Sequence, residues 1–153
     1  MNRMTNDPDK ILLVIAGPTA VGKTDISVAV AGALGTEILS ADSRQFYREM
    51  NIGTAKPSPQ QLALVPHHFI GHISIHEEYN ISRFEKEALA RLESLFARYR
   101  VVIMTGGSGM YIDAVCKGID ELPDANPLIR KELRAGFGHY GIQYLRNRLL
   151  DLD

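Results

Sequence analysis

Eight consecutive residues, Gly17-Pro18-Thr19-Ala20-Val21-Gly22-Lys23-Thr24, follow the pattern G-x-x-x-x-G-K-[ST], which holds phosphate. The glycines let the backbone curl until several N–H groups point at one spot, the helix that follows adds its positive end, and Lys23 adds a point charge. The Thr24 hydroxyl is a ligand for Mg²⁺. A glycine turn that merely joined strand to helix would need neither the lysine nor the hydroxyl. The loop says what is held and leaves open what is transferred, because nucleotide kinases, GTPases and other transferases share it. A kinase or GTPase normally adds a metal-binding Asp at the end of a later apolar strand, yet the run 101–104 ends in Thr105-Gly106-Gly107 with no acid. The nearest carboxylate is Asp42, just past a second predicted strand at the carboxyl edge of the sheet, where ligands of open α/β folds collect. There it is placed to take a proton or touch a metal; its structural alternative is to cap a short following helix.

The elements that must position these residues alternate along the chain. The continuous apolar run 11–16, bounded by Gly17 and Pro18, predicts a strand buried on both faces of a parallel sheet. A helix follows from Thr24, with Ile26, Val30, Ala33 and Leu34 at helical spacing and Gly35 as its stop. Residues 36–40 read as a second strand, 42–50 as a short helix or irregular turn, and Gly53, Pro57 and Pro59 mark loop. A short third strand is expected over 69–75. The clearest helix is 82–99, with a Ser82/Glu85 capping box and Phe84, Ala88, Leu92, Leu95, Phe96 and Tyr99 on one face. Residues 101–105 form another buried strand, and Gly106-Gly107-Ser108-Gly109 leads into a helix over 110–117. This alternation predicts a P-loop NTPase-like three-layer α/β fold with a mostly parallel sheet over 11–123. Residues 1–10 read as a frayed leader. After the Pro-rich stretch 122–127, two short helical patterns, 128–136 and 139–150, hold five basic residues against one acid.

The 153 residues suit one domain, and a net charge of −1 gives no global attraction for polyanions, so any nucleic-acid contact must be local. A single cysteine, Cys116, permits no intrachain disulfide and reads as a small core residue of a protein in a reducing compartment. No apolar run approaches the roughly 20 residues of a membrane span, and there is no signal-peptide pattern, so a cytoplasmic location without membrane contact is expected.

The phosphate loop, Ala41-Asp42-Ser43-Arg44-Gln45-Phe46-Tyr47, Met50-Asn51-Ile52-Gly53-Thr54-Ala55-Lys56-Pro57, His67-His68 and Gly106-Gly107-Ser108-Gly109-Met110-Tyr111 together resemble the tRNA dimethylallyltransferases in order and spacing. The resemblance implies transfer of a dimethylallyl group from dimethylallyl diphosphate to the N6 amine of an adenosine beside the anticodon of tRNA. It implies that Gly17 to Thr24 hold the donor diphosphate, with Lys23 and Mg²⁺ on Thr24 neutralising the leaving group. Asp42 would accept the amine proton, and Asp42, Ser43, Arg44, Gln45, Ser108 and Arg130 would touch tRNA. Ser108 stands where the family usually has Thr, keeping the hydroxyl, and is counted with Asp42 and Lys23 as catalytic. Family members continue well past this point, so the chain resembles an amino-terminal portion and 124–153 the start of a helical tRNA-binding insertion; poor activity on tRNA is expected of it alone. No protein partner is implied.

Other readings remain open on the residues: a small-molecule P-loop kinase, an adenylate isopentenyltransferase acting on a free nucleotide, or a diphosphate-binding fragment without turnover. His68, His72 and His76 would make a metal face on a helix, but Pro66, Gly71 and the β-branched and aromatic neighbours argue against one. The basic cluster after Leu128, interleaved with Phe137, Tyr140 and Tyr144, suits phosphate contact and base stacking as well as it suits a solvated helix face.

Overall fold

The computed structural model describes residues 9–120 and 126–152. They fall into two units divided between Ile119 and Asp120; most of the expected leader lies outside the described residues. In the first unit the elements run β1 (Ile11–Ala16), α1 (Lys23–Leu34), β2 (Ile38–Ser40), α2 (Pro59–Leu64), β3 (His67–His68), α3 (Ile81–Phe96), β4 (Val101–Gly106) and α4 (Gly109–Lys117). The four strands form one all-parallel sheet in the order β1-β4-β2-β3, an α/β fold of the P-loop kind.

Strand alternation divides the core between two faces. Leu39, Val102 and Met104 point to one side, where Phe84, Ala88, Leu92 and Leu95 of α3 and Ile112 and Val115 of α4 cover them. Ile38 and Ile103 point to the other, against Val28 and Ala31 of α1 and Val65 after α2. The ends of β1, β2 and β4 therefore converge at one edge, where Gly17, Ala41 and Gly107 begin the loops that build the site.

Several expectations are corrected. β1 is not buried on both faces: Ile11 is 45% and Leu13 37% exposed, because α1 meets its side of this strand only from Ile15 onward. The second strand starts at Ile38, two residues later than expected, since the Thr36 hydroxyl donates to Val101 O instead. The third strand is His67–His68 and not 69–75, because Phe69 and Gly71 both adopt positive φ and turn the chain away; Ile73 keeps a single bridge to Tyr47. Over residues 42–50, by contrast, the structure takes the irregular turn of the two alternatives the sequence offered. In the stretch read as loop, Pro59 occupies the first turn of α2, and Ser58 and Gln61 form the capping box there. The cap of α3 is Asn80, whose side chain accepts from Arg83 N, so Ser82 falls inside the helix and Glu85 accepts from Ile119 N. Cys116 is exposed, a helical step away from the buried Ile112 and Val115.

The second unit is a pair of helices, α5 (Pro127–Tyr140) and α6 (Ile142–Leu150), joined at Gly141. α5 is longer than the expected 128–136 and runs through Gly136, where a Cβ would sit 2.2 Å from the Tyr144 ring, so this glycine lets the two helices approach. No residue of either helix is buried. Arg130 lies on α5 beside an apolar groove of about 440 Å³ lined by Ile129, Leu133, Phe137 and Leu145.

Candidate functional site

The phosphate loop turns through two left-handed residues, Ala20 (φ 69°) and Gly22 (φ 86°), before Lys23 starts α1. Gly22 takes that conformation freely, whereas Ala20 takes it against its preference. Lys23 folds back over the loop, with Nζ 2.5 Å from Pro18 O. Thr19, Ala20, Gly22, Lys23 and Thr24 line a cavity of about 340 Å³ at the carboxyl edge of the sheet, and Asp42 lines the same cavity. Val21 is exposed.

Asp42 is held by its neighbours rather than by a helix. Its Oδ1 accepts from Arg44 N at 3.1 Å and its carbonyl accepts from Gln45 N at 2.9 Å, which closes a tight turn after β2. On one side Ala41 N donates to Thr105 O at 2.7 Å; on the other, Ser43 N donates to Ser108 Oγ at 3.1 Å. One glycine makes this approach possible: a Cβ on Gly106 would sit 2.3 Å from Ala41 O. Gly107, next to it, lies against both Gly17 O and Asp42 Oδ2; a Cβ there would be 3.4 Å from the first and 3.8 Å from the second, ordinary contact distances.

Of the expected site residues, Asp42, Lys23, Thr24 and Gln45 line the cavity; Ser43 and Ser108 are bonded to each other beside Asp42; Arg44 is exposed on the Asp42 turn. Gln45 is buried, and its carboxamide bonds to Ser40, Thr54 and Ala55. Arg130 belongs to the second unit.

Asp25, Lys56 and Gln61 are among the lining residues that had no role in the sequence reading. Asp25, one residue beyond the phosphate loop, accepts from Gln61 Nε2 at 2.6 Å, which ties α2 to the first turn of α1. Lys56 donates to Tyr47 O at 2.6 Å and to Asn51 Oδ1 at 2.9 Å. Only the I-G-T-A-K-P string hinted at Lys56, and nothing local marks Gln61.

The histidines are distributed. His67 Nδ1 lies 2.8 Å from Val65 O and its ring lines the cavity, with burial lowering its pKa. His68 Nε2 donates to Glu37 Oε2 at 2.6 Å. His72 packs among Phe46, Phe69 and Tyr79, where burial also lowers its pKa.

The IPP transferase family model matches residues 45–153. A tRNA dimethylallyltransferase of Flavobacterium psychrophilum is 49% identical over 142 residues, 93% of this chain and 46% of the relative. tRNA dimethylallyltransferase 2 of Porphyromonas gingivalis is 51% identical over 147 residues, 95% of this chain and 49% of the relative. The chain therefore spans about half the length of these relatives. Among solved structures, the full-length tRNA isopentenylpyrophosphate transferase of Bacillus halodurans superposes with a TM-score of 0.70 at 37% identity, covering 94% of this chain and 48% of that one. A eukaryotic dimethylallyltransferase acting on tRNA gives 0.67 at 33% identity, covering 81% and 31%.

Proposed function

The chain belongs to the IPP transferase family, and we propose that the protein transfers a dimethylallyl group from dimethylallyl diphosphate to the N6 amine of an adenosine beside the anticodon of tRNA, in the cytoplasm. The observation that carries this reading is the sharing of one cavity by a phosphate loop and the Asp42 carboxylate. In the reaction the allylic C–O bond of the donor breaks, a C–N bond forms to adenosine N6, that nitrogen loses a proton, and diphosphate leaves. The backbone N–H groups of 19–24 and the Lys23 ammonium hold the diphosphate and stabilise the charge that grows on it as the C–O bond opens. Asp42 accepts the amine proton, and the tight turn around it keeps its carboxylate oriented while the base arrives.

Thr24 and Asp25 line the cavity side by side, and the hydroxyl and carboxylate they carry are hard oxygen donors of the kind Mg²⁺ takes. When bound, the ion supplies further neutralisation of the leaving diphosphate. The target adenosine must leave its stack to reach such a cavity, and Ser43, Arg44 and Ser108, beside Asp42, are offered as its contacts. Arg130, on a helical pair with a local excess of basic residues, is offered as a phosphate contact to the same tRNA.

The test is a transfer assay with labelled dimethylallyl diphosphate offered tRNA, AMP and ADP in parallel. Label on N6 of the adenosine beside the anticodon is expected, at a low level from these 153 residues alone. Label on AMP or ADP would instead make the protein an adenylate prenyltransferase, and diphosphate binding without label on any acceptor would make it a binder.

A further inference from the structure

One wall of the cavity is made by Ala55, Lys56 and Pro57, in a segment without regular structure. Ala55 has φ +49°, a left-handed conformation that a side chain disfavours and that persists only where surrounding contacts over-determine it. Those contacts converge on Gln45. Its Nε2 donates to Thr54 O at 3.2 Å and to Ala55 O at 2.9 Å, and its Oε1 accepts from Ser40 Oγ, at the end of β2, at 3.0 Å. Two carbonyls can only accept, so the NH₂ end of the amide must face them. Gln45 lines the same cavity, yet it is only 9% exposed, and both its N–H donors and one lone pair of Oε1 are committed to Thr54, Ala55 and Ser40.

We propose that Gln45 is a positioning residue: its carboxamide clamps the strained Thr54–Ala55 turn to the end of β2 and so sets the cavity wall against which the acceptor base must fit. The phosphate loop hangs from β1 and α1, which the Gln45 carboxamide does not touch. Losing the clamp should therefore displace the acceptor side and spare the donor side. The kinetic consequence rests on the transfer reaction proposed above, whereas the clamp itself is measured without it.

The experiment compares Gln45→Glu and Gln45→Met with the unsubstituted protein by three readouts: amide hydrogen exchange, pyrophosphate binding and prenyl-transfer kinetics. Glu keeps the size and the Ser40 bond but cannot donate to two carbonyls; Met keeps the length without polar atoms or charge, and serves alone if the buried carboxylate of the Glu variant prevents folding. Both should speed exchange at 53–56 by about tenfold or more while leaving that of α1 unchanged. Pyrophosphate affinity should stay within about twofold, and kcat/KM for tRNA should fall by about tenfold or more. Unchanged exchange at 53–56 together with weaker tRNA binding would overturn the proposal and make Gln45 a direct contact. Faster exchange in a protein whose unsubstituted form transfers no prenyl group would uphold the clamp and overturn the transfer reading instead.

Discussion

Ser43 N donates to Ser108 Oγ at 3.1 Å, and the two hydroxyls lie 3.3 Å apart, joining residues 65 positions distant in the chain. Because Ala41 N is bonded to Thr105 O, Asp42 is gripped on both sides by the corner between β4 and α4. Ser108→Ala leaves the partly buried Ser43 N–H without its acceptor. The expected cost is about 0.5–1.5 kcal/mol by chemical denaturation, with a fall in transfer rate because Asp42 loses one of its two anchors. Ser108→Thr keeps the hydroxyl and should retain both stability and rate; equal rates for the alanine and threonine variants would show that this anchor does not matter.

Gly106→Ala tests the same corner from the backbone. The added methyl would be driven to 2.3 Å from Ala41 O, and both partners are main chain in adjacent strands, so neither can swing aside. A loss of about 1–3 kcal/mol or more is expected, the scale of overpacking in a close-packed site. Gly109→Ala, at a position with nothing within 4 Å of the added carbon, is the control and should be nearly neutral. Thermal melts of the two variants decide the matter.

These contacts also show why some of the site was legible in the sequence and some was not. The phosphate loop could be read because its chemistry fixes four residue types within eight adjacent positions, and Asp42 because it follows a predicted strand by two positions. The apolar runs 11–16 and 101–105 likewise predict two parallel strands, since they have the length of their elements, whereas 69–75 does not, its strand being His67–His68. The Ser108–Ser43 bond joins residues that no local pattern connects and that meet only because β2 and β4 are neighbours, while the Gln45 clamp closes a loop without regular structure, between residues 40 and 55, whose path no periodicity marks. α2 was hidden by Pro57 and Pro59, which read as breakers, although a proline in the first helical turn with Ser58 and Gln61 around it starts a helix as readily as it ends one.

Glu37 gives a pH dependence remote from the cavity. Burial raises its pKa, but hydrogen bonds from His68 and Tyr99 and the positive charge of Arg98, 3.0 Å away, outweigh that and hold the carboxyl below its ordinary value of 4.5. A carboxyl with a lowered folded-state pKa contributes stability that is present above its unfolded value and lost as pH falls through the folded one. Stability should therefore decline below about pH 4.5, and Glu37→Gln should flatten that decline. Denaturation curves across that acid range check it, an unchanged slope in the variant counting against Glu37.

Lys23→Ala should weaken pyrophosphate binding by about 1–3 kcal/mol, the range for losing a charge-assisted hydrogen bond. The side chain is partly exposed and donates to the Pro18 carbonyl of its own loop, so the fold should survive the change. Calorimetry on the two proteins gives the answer directly, and equal affinities would remove Lys23 from the donor site.

Asp42→Asn separates chemistry from positioning. The amide is nearly isosteric, and its oxygen can still accept from Arg44 N, so the turn that begins at residue 42 has no reason to open. What the amide lacks is the basicity to take a proton from the adenosine amine. Donor affinity should thus change little, because the contacts proposed for diphosphate are those of residues 19–24, while turnover should fall by about 10² or more, the usual scale for losing a general base. The discriminating measurement is the rate against pH for the parent and the variant with pyrophosphate affinity recorded alongside. A variant that retains turnover within a factor of two would reduce Asp42 to the head of a turn, and the proton would then have to leave by another route through the cavity.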